Sequence, residues 1–150
     1  MARTSVYDYF PSRDDLLVAV ALSAFEEWGH DLARDLDGVE PGLPQLRRYI
    51  EATMAMAADG RHVLATALRG ADLSPDSSRE IAAVHDALLE PLLAIMAAAG
   101  FDDPEGNAPY VQAVISAGVT QVSHGEDALE AAERVRRLIV DGARLRPVRG

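Results

Sequence analysis

The sequence predicts an all-α protein of one domain, and three observations point to that fold. Of its 150 residues, 49% are hydrophobic but only 5% are aromatic, so the core must be built mainly from Ala, Leu, Val and Ile. Good helix formers dominate, whereas Thr, Phe and Trp, which favour strands, are sparse. Apolar residues recur at helical spacing between Pro and Gly breaks. A chain of this length can bury about 70% of its unfolded surface in one core.

The first long helix is predicted to begin at residue 13. Ser12 suits its N-cap, and Asp14 and Asp15 fall in its first turn, where the helix dipole favours carboxylates. Apolar residues from Leu17 to Leu32 then share one face at helical spacing. The sequence therefore predicts an amphipathic helix that packs along much of the molecule.

Five more helices are expected after it. The third of these contains Pro91 in its middle, which predicts a kink near residues 87–91 because proline removes a backbone donor. The penultimate helix is apolar around much of its circumference, and such a helix in a small domain usually has a second partner. The predicted ranges are residues 43–60, 61–74, 75–100, 110–125 and 126–146, with a loop over 101–109.

The composition argues against catalysis. No cysteine is present, which excludes disulfides, thiolate catalysis and Cys-ligated zinc. The four histidines are too dispersed for a local metal site, and no glycine-rich phosphate loop, G-x-S-x-G turn or paired-carboxylate signature occurs. The protein is therefore expected not to be an enzyme and to need no cofactor or metal.

Neither a secretory signal nor a membrane span is expected. The N-terminus lacks a basic and then apolar pattern, and no stretch approaches about 18 uninterrupted apolar residues, so a soluble, cytoplasmic protein is expected. The net charge of −10 opposes DNA binding by the chain as a whole. Residues 1–13 differ, because Arg3 and Arg13 outweigh Asp8 there.

The N-terminal stretch ARTSVYDYFPSRDDLLVAV resembles the end of the DNA-binding region of TetR-family (tetracycline-repressor-like) regulators. In that family a short recognition helix carries aromatic residues at fixed spacing, and a basic–acidic–x–Leu entry into a long helix follows. The matching positions are Ala2, Ser5, Val6, Tyr7, Tyr9, Phe10, Arg13, Asp14 and Leu16.

The resemblance implies two parts: a helix-turn-helix remnant over residues 1–15 and a TetR-like effector-binding and dimerisation domain over residues 16–150. Arg3 and Thr4 would face the DNA groove, and Tyr7 would contact a phosphate. A recognition helix needs its preceding helices for support, and the resemblance begins only at the recognition helix, from Ala2. Operator binding is therefore expected only when those helices are present.

The resemblance further implies a homodimer, in which the last two helices of each subunit form a four-helix bundle. The alternative is that the penultimate helix is simply the central core helix of a monomer. The residues expected at the dimer interface are Val111, Val114, Ile115, Gly118, Val122, Val135 and Ile139.

It also implies a cavity for a small apolar or amphipathic effector among the earlier helices. A single Leu or Met there is more often plain core, and a buried His85 could equally bond a backbone carbonyl. Trp28 and Tyr49 could stack on a flat molecule or merely fill space. The candidate lining residues are Phe25, Trp28, Tyr49, Thr53, Met54, His62, His85, Leu88, Leu89 and Met96.

These features favour a ligand-responsive transcriptional regulator, most simply a repressor, that works by population shift between two arrangements of the dimer. The alternative function is a helical dimerisation or interaction module that binds neither a ligand nor DNA by itself. Specific stabilisation by a small apolar compound would favour the sensor, and stabilisation only by a partner chain would favour the module.

Overall fold

The computed structural model describes residues 12–60, 71–87 and 89–142, which form six α-helices and no strand. The all-α prediction is confirmed for these ranges. In chain order the helices are α1 (Arg13–Leu36), α2 (Leu43–Ala58), α3 (Pro75–Ala87), α4 (Glu90–Ala98), α5 (Pro104–Ser123) and α6 (Ala128–Gly142).

Helix α1 begins as the sequence predicts. Ser12 is extended, and its hydroxyl accepts a hydrogen bond from the Asp15 backbone N–H at 3.1 Å while donating to the Asp15 carboxylate at 2.8 Å. This reciprocal cap satisfies one of the free N–H groups that every helix start exposes. The 24-residue helix then runs to Leu36.

Helix α2 lies at the centre of the fold. It packs against α1, α4, α5 and α6, and half of its residues are buried. A helix with neighbours on several sides must be apolar around most of its circumference. Its buried residues are Leu46, Tyr49, Ile50, Ala52, Thr53, Met54, Met56 and Ala57.

The fourth predicted helix is divided instead of kinked. Helix α3 ends at Ala87, and α4 begins at Glu90 with Pro91 in its first turn. Proline is readily accepted there because the first-turn N–H groups have no partner within the helix. The interruption falls within the predicted range of residues 87–91, and the described residues on its two sides are assigned to separate helices. The two pieces pack differently: α3 lies mainly against α1, whereas α4 contacts α2 and α5.

Helix α5 begins six residues earlier than predicted. Asp103 has a φ of 44° and accepts a hydrogen bond from the Gly106 N–H at 3.1 Å, and Pro104 follows at the start of the helix. An acidic cap followed by proline is a strong start signal, so the predicted loop over residues 101–109 is partly helical. Of the predicted helix over 61–74, residues 61–70 lie outside the described part and residues 71–74 are not helical.

The buried residues form two clusters of unequal size. The main core joins α2, α4, α5 and α6 with Leu32 from α1. The second cluster is built on Ala21 and Phe25 of α1, with Ile81 and Val84 of α3 packed against them. The half-buried Trp28 packs against both clusters, so α1 links them.

One helical stretch, Pro75–Ala98, is long and apolar enough to cross a membrane by length and composition, with a mean hydropathy of 1.6. This criterion of length and mean hydropathy differs from the run of about 18 uninterrupted apolar residues that was expected to be absent, so that expectation stays a prediction. Only 18% of the window is buried, and many of its apolar residues are exposed alanines. The stretch also contains Asp86, Glu90 and the break before α4, and ionised carboxylates are costly in a bilayer.

Candidate functional site

Three of the predicted ligand residues meet where α3 crosses α1. The Phe25 ring is buried, and its centroid lies 6.0 Å from that of the His85 ring at an interplanar angle of 69°. Such an edge-to-face pair is a favourable arrangement for aromatic rings. Trp28 packs one turn further along α1. We call Phe25, Trp28 and His85 the aromatic cluster.

The aromatic cluster combines apolar surface with polar atoms. The His85 side chain is about a quarter exposed, and its Nδ1 lies 4.0 Å from an oxygen of the exposed Asp86 carboxylate. Helix α3 contributes no fully buried residue, so one wall of the cluster is lightly packed. Displacing these side chains to admit a flat apolar molecule would cost less free energy than it would in the main core.

The other described ligand candidates do not face this cluster. Tyr49, Thr53, Met54 and Met96 are buried in the main core or on α2, and the Thr53 hydroxyl donates to the Tyr49 carbonyl oxygen at 2.8 Å. Burial raises the pKa of the Tyr49 phenol to about 12. The structure therefore divides the predicted cavity lining between two regions.

The remaining ligand and DNA-contact candidates lie neither in the aromatic cluster nor among the buried residues named above. Leu89 is half-buried at the break between α3 and α4. The remaining candidates lie outside the described residues: the DNA-contact residues Arg3, Thr4 and Tyr7, and the ligand candidates His62 and Leu88.

The predicted dimer residues lie mostly inside one chain. Val114 is half-buried, and the other six are buried between α2, α5 and α6. The small Gly118 lets these three helices approach closely: an added Cβ would lie 2.6 Å from Val135 Cγ2 and 2.7 Å from Met54 Cε. The second partner inferred from the two-sided apolar pattern of α5 is therefore available within the same chain. The six buried residues are Val111, Ile115, Gly118, Val122, Val135 and Ile139.

A different set of apolar side chains remains exposed on the last two helices. Tyr110 of α5 is 74% exposed and Leu138 of α6 is 61% exposed, and both line one concavity of about 520 Å³ with Val114. Leu129 of α6 is exposed as well. We call Tyr110, Val114 and Leu138 the apolar patch. Leu138 was not predicted as a surface residue from the sequence. Its position does place it away from the face of α6 on which Val135 and Ile139 are buried.

A second concavity, an open groove of about 1070 Å³, lies between α2 and α6. None of the described ligand candidates lines it. Its walls carry four arginines in two pairs, and each pair converges on one glutamate. On α2 these are Arg47 and Arg48 with Glu51, and on α6 they are Arg136 and Arg137 with Glu133.

The electrostatics of the groove are clearest at Glu133. Arg136 donates to both carboxylate oxygens at 2.8 Å, and Arg137 Nε donates to one of them at 2.8 Å. These hydrogen bonds lower the pKa of Glu133 to about 2. The hydrogen bonding between Arg136 and Glu133 also raises the pKa of the Arg136 guanidinium. We call this concavity the arginine groove.

A further contact joins the starts of α1 and α3. The Ser74 N–H donates to the Asp14 carboxylate at 2.7 Å across 60 residues of sequence. This backbone hydrogen bond is the main reason why the pKa of Asp14 is lowered. Asp14 therefore ties the N-terminal end of α1 to the helix that carries His85.

No group of three or more His, Asp or Glu side chains that could hold a metal ion occurs among the described residues. Comparisons with family models, curated proteins and solved structures gave no match for this chain.

Proposed function

We propose that this chain is the effector-sensing and dimerisation part of a ligand-responsive transcriptional regulator of the TetR type, most simply a repressor in the cytoplasm. One observation carries the proposal. The helix that follows the stretch resembling a DNA-contact motif in the sequence is the same helix that presents Phe25 and Trp28 to the aromatic cluster. A rigid helix of 24 residues can transmit a displacement at the cluster to its own N-terminal end.

The mechanism that follows is a population shift. An apolar effector between Phe25, Trp28 and His85 would bind more tightly to an arrangement in which α3 is displaced from α1. Because Asp14 binds Ser74 at the start of α3, a movement of α3 would also act on the first turn of α1. An effector changes the equilibrium only by its difference in affinity for the two arrangements.

Dimerisation, in this proposal, uses the apolar patch. Tyr110, Val114 and Leu138 offer a continuous surface on α5 and α6, and aromatic and leucine side chains there would be buried by the same patch of a second copy. An isologous contact of this kind gives a closed dimer. Operator contacts would be made by Arg3, Thr4 and Tyr7 together with the helices that support a recognition helix.

The second candidate function is a helical dimerisation or interaction module without a ligand or DNA site of its own. The exposure of Tyr110 and Leu138 favours it as directly as it favours a regulator. The two candidates differ at the aromatic cluster, which only the regulator uses.

Trp28 allows a direct test, because it is the only tryptophan in the chain. A neutral aromatic probe, N-phenyl-1-naphthylamine, is titrated into the purified protein, and quenching of Trp28 emission with energy transfer to the probe is recorded. The regulator proposal expects saturable binding of one probe per chain. It expects Phe25→Leu to weaken that binding at least about tenfold, because a stacking partner is lost from a small site.

Phe101→Leu is the matched control, since Phe101 is a partly buried phenylalanine that packs against the main core instead. Its affinity for the probe should equal that of the unsubstituted protein. Equal effects of the two substitutions, or no saturable quenching, would contradict the sensor. A mass twice the chain's 16.1 kDa without probe binding would favour the module.

A further inference from the structure

We propose that the arginine groove is a second ligand site, separate from the aromatic cluster, which binds an amphipathic anion: an alkyl chain that ends in a phosphate or carboxylate group. The proposal does not depend on the regulator function, because it stands on the groove's own donors, shape and apolar surface.

The first argument is the number of unused hydrogen-bond donors. Arg47 donates through Nε to Glu51, and Arg137 donates through Nε to Glu133. Their terminal nitrogens make no hydrogen bond to any described residue, and both side chains are 67% exposed. A guanidinium has five N–H donors in a planar fork, so each of these two presents its terminal donors to solvent at the groove.

The second argument is the position of those donors. Arg47 is on α2 and Arg137 is on α6, and both line the same groove. One planar guanidinium can donate two parallel hydrogen bonds to a phosphate or carboxylate group, so an oxyanion in the groove would find an open arginine on either wall. The other two arginines are more engaged. Arg136 chelates Glu133, and Arg48 also lies 3.4 Å from Asp35.

The third argument is charge. The groove lining holds four arginines against Glu51, Glu133 and Asp141, one more arginine than carboxylates, on a chain of net charge −10. Asp35, outside the lining, pairs with Arg48. An acidic protein repels anions over most of its surface, and a local excess of guanidinium groups selects where one can bind. The same acidic surroundings disfavour a long polyanion such as nucleic acid, which needs an extended basic face.

The apolar surface of the groove defines the rest of the ligand. Leu46, Ala132 and Val140 form its buried floor, and Leu43 and Leu129 are exposed leucines on its walls. At about 1070 Å³ the groove is at the upper end of small-molecule sites, which occupy about 300–1000 Å³. A bare inorganic anion would leave this volume and the leucines uncovered, whereas an alkyl chain would cover them.

The test is calorimetric titration of the whole chain with dodecyl phosphate below its micelle concentration. We expect saturable binding of one molecule per chain. Inorganic phosphate supplies the head group alone, and dodecyl maltoside supplies the same tail with a neutral head. Each should bind at least about tenfold more weakly, because each lacks one half of the recognised ligand. Dodecanoate in a parallel titration shows whether a carboxylate or a phosphate is preferred.

The variant Arg47→Gln/Arg137→Gln removes the two open guanidiniums and should weaken binding of dodecyl phosphate at least about tenfold. Arg34→Gln/Arg79→Gln is the matched control, because it removes two exposed arginines that pair with acids on α1 and α3 outside the groove. Its affinity should be unchanged. Phe25→Leu should also leave the affinity unchanged, which separates this site from the effector site proposed above.

Four results would overturn the proposal. They are no saturable binding, equal binding of dodecyl maltoside, equal binding of inorganic phosphate, and equal loss of affinity in the two double variants. Light scattering on the same samples tests whether a second copy of the chain occupies the groove instead. A dimer that Arg47→Gln/Arg137→Gln converts to monomer would assign the groove to that second copy. Each single variant, Arg47→Gln and Arg137→Gln, is titrated as well, so that a folding defect in the double variant does not hide the result.

Discussion

The main core and the aromatic cluster are packed in different ways. In the main core four helices enclose side chains that are almost completely buried, such as Met54, Leu92 and Met96. In the smaller buried cluster, to which the aromatic cluster belongs, only Ala21 and Phe25 are buried, and α3, which packs against them, buries no residue of its own. Regions with few buried apolar contacts open at a lower free energy than a core. The main core therefore contributes most of the stability, and the proposed effector would act at the more lightly packed aromatic cluster.

Helix α1 belongs to both regions. Leu32 near its C-terminal end belongs to the main core, whereas Phe25 at its middle belongs to the aromatic cluster and Asp14 in its first turn contacts Ser74. In the proposed mechanism, a change at the cluster would move the start of α1 relative to its other end, which Leu32 anchors in the main core. The following predictions test this contrast, beginning with the largest expected effect.

Leu92→Ala in the main core should lower the free energy of unfolding by about 2 to 5 kcal/mol, because Leu92 is completely buried and its loss leaves a cavity. All helices should unfold together in urea, as measured by circular dichroism. Leu129→Ala is the matched control on an exposed leucine, with an expected change within about 0.5 kcal/mol. A small effect of Leu92→Ala would place the stabilising core elsewhere.

Gly118→Ala should lower the free energy of unfolding by about 1 to 3 kcal/mol, although alanine is the better helix former. The reason is steric: the new Cβ would lie 2.6 Å from Val135 and 2.7 Å from Met54. Gly142→Ala on α6 has open space around it and should be neutral or slightly stabilising. Adding Val135→Ala should recover part of the loss, and no recovery would show that the close approach is not the cause.

Phe25→Leu should cost about 1 kcal/mol, because it keeps most of the apolar volume. Its effect should be local: hydrogen exchange should become faster in α3 and in α1 from Arg13 to Trp28, with α2, α5 and α6 unchanged. Uniformly faster exchange would mean that the aromatic cluster and the main core unfold as one unit.

Asp14→Asn should have the smallest effect, seen in its pH dependence. The pKa of Asp14 is lowered in the folded state by the Ser74 N–H, so the contact stabilises the fold above the ordinary value of 3.8 and is lost as the pH falls through the lowered value. Hydrogen exchange of α3 at pH 6 and pH 3 measures this. The difference between the two pH values should shrink in Asp14→Asn.

Glu133→Gln is the comparison for that experiment. The pKa of Glu133 is lowered to about 2, but its partners Arg136 and Arg137 lie on the same helix. Its loss should therefore change α6 alone and leave the exchange of α3 as it was. An equal effect of both variants on α3 would show that Asp14 does not link the two helices.

The sequence was informative where the cause is local. The Ser12 cap, the length of α1 and the all-α fold follow from residue types within a few positions of each other. The break before Pro91 could also have been predicted, since proline suits a first turn better than a helix centre.

The candidate site was harder to predict because helical periodicity shows that a face is buried but not what covers it. Tyr49 and Met54 have the same spacing as a ligand-lining face, yet α2 directs them to the main core. Val111 and Ile115 likewise meet helices of their own chain. The arginine groove joins α2 to α6 across more than 80 residues of sequence, and no local pattern could reveal it.

The most direct test of the sensor proposal is hydrogen exchange of the whole chain with and without saturating N-phenyl-1-naphthylamine. If the aromatic cluster is the sensor, exchange should change in α3 and in α1 from Arg13 to Trp28, while α2, α5 and α6 keep their protection. A change confined to the main core, or spread evenly over all six helices, would contradict the proposal that this cluster is where a ligand acts.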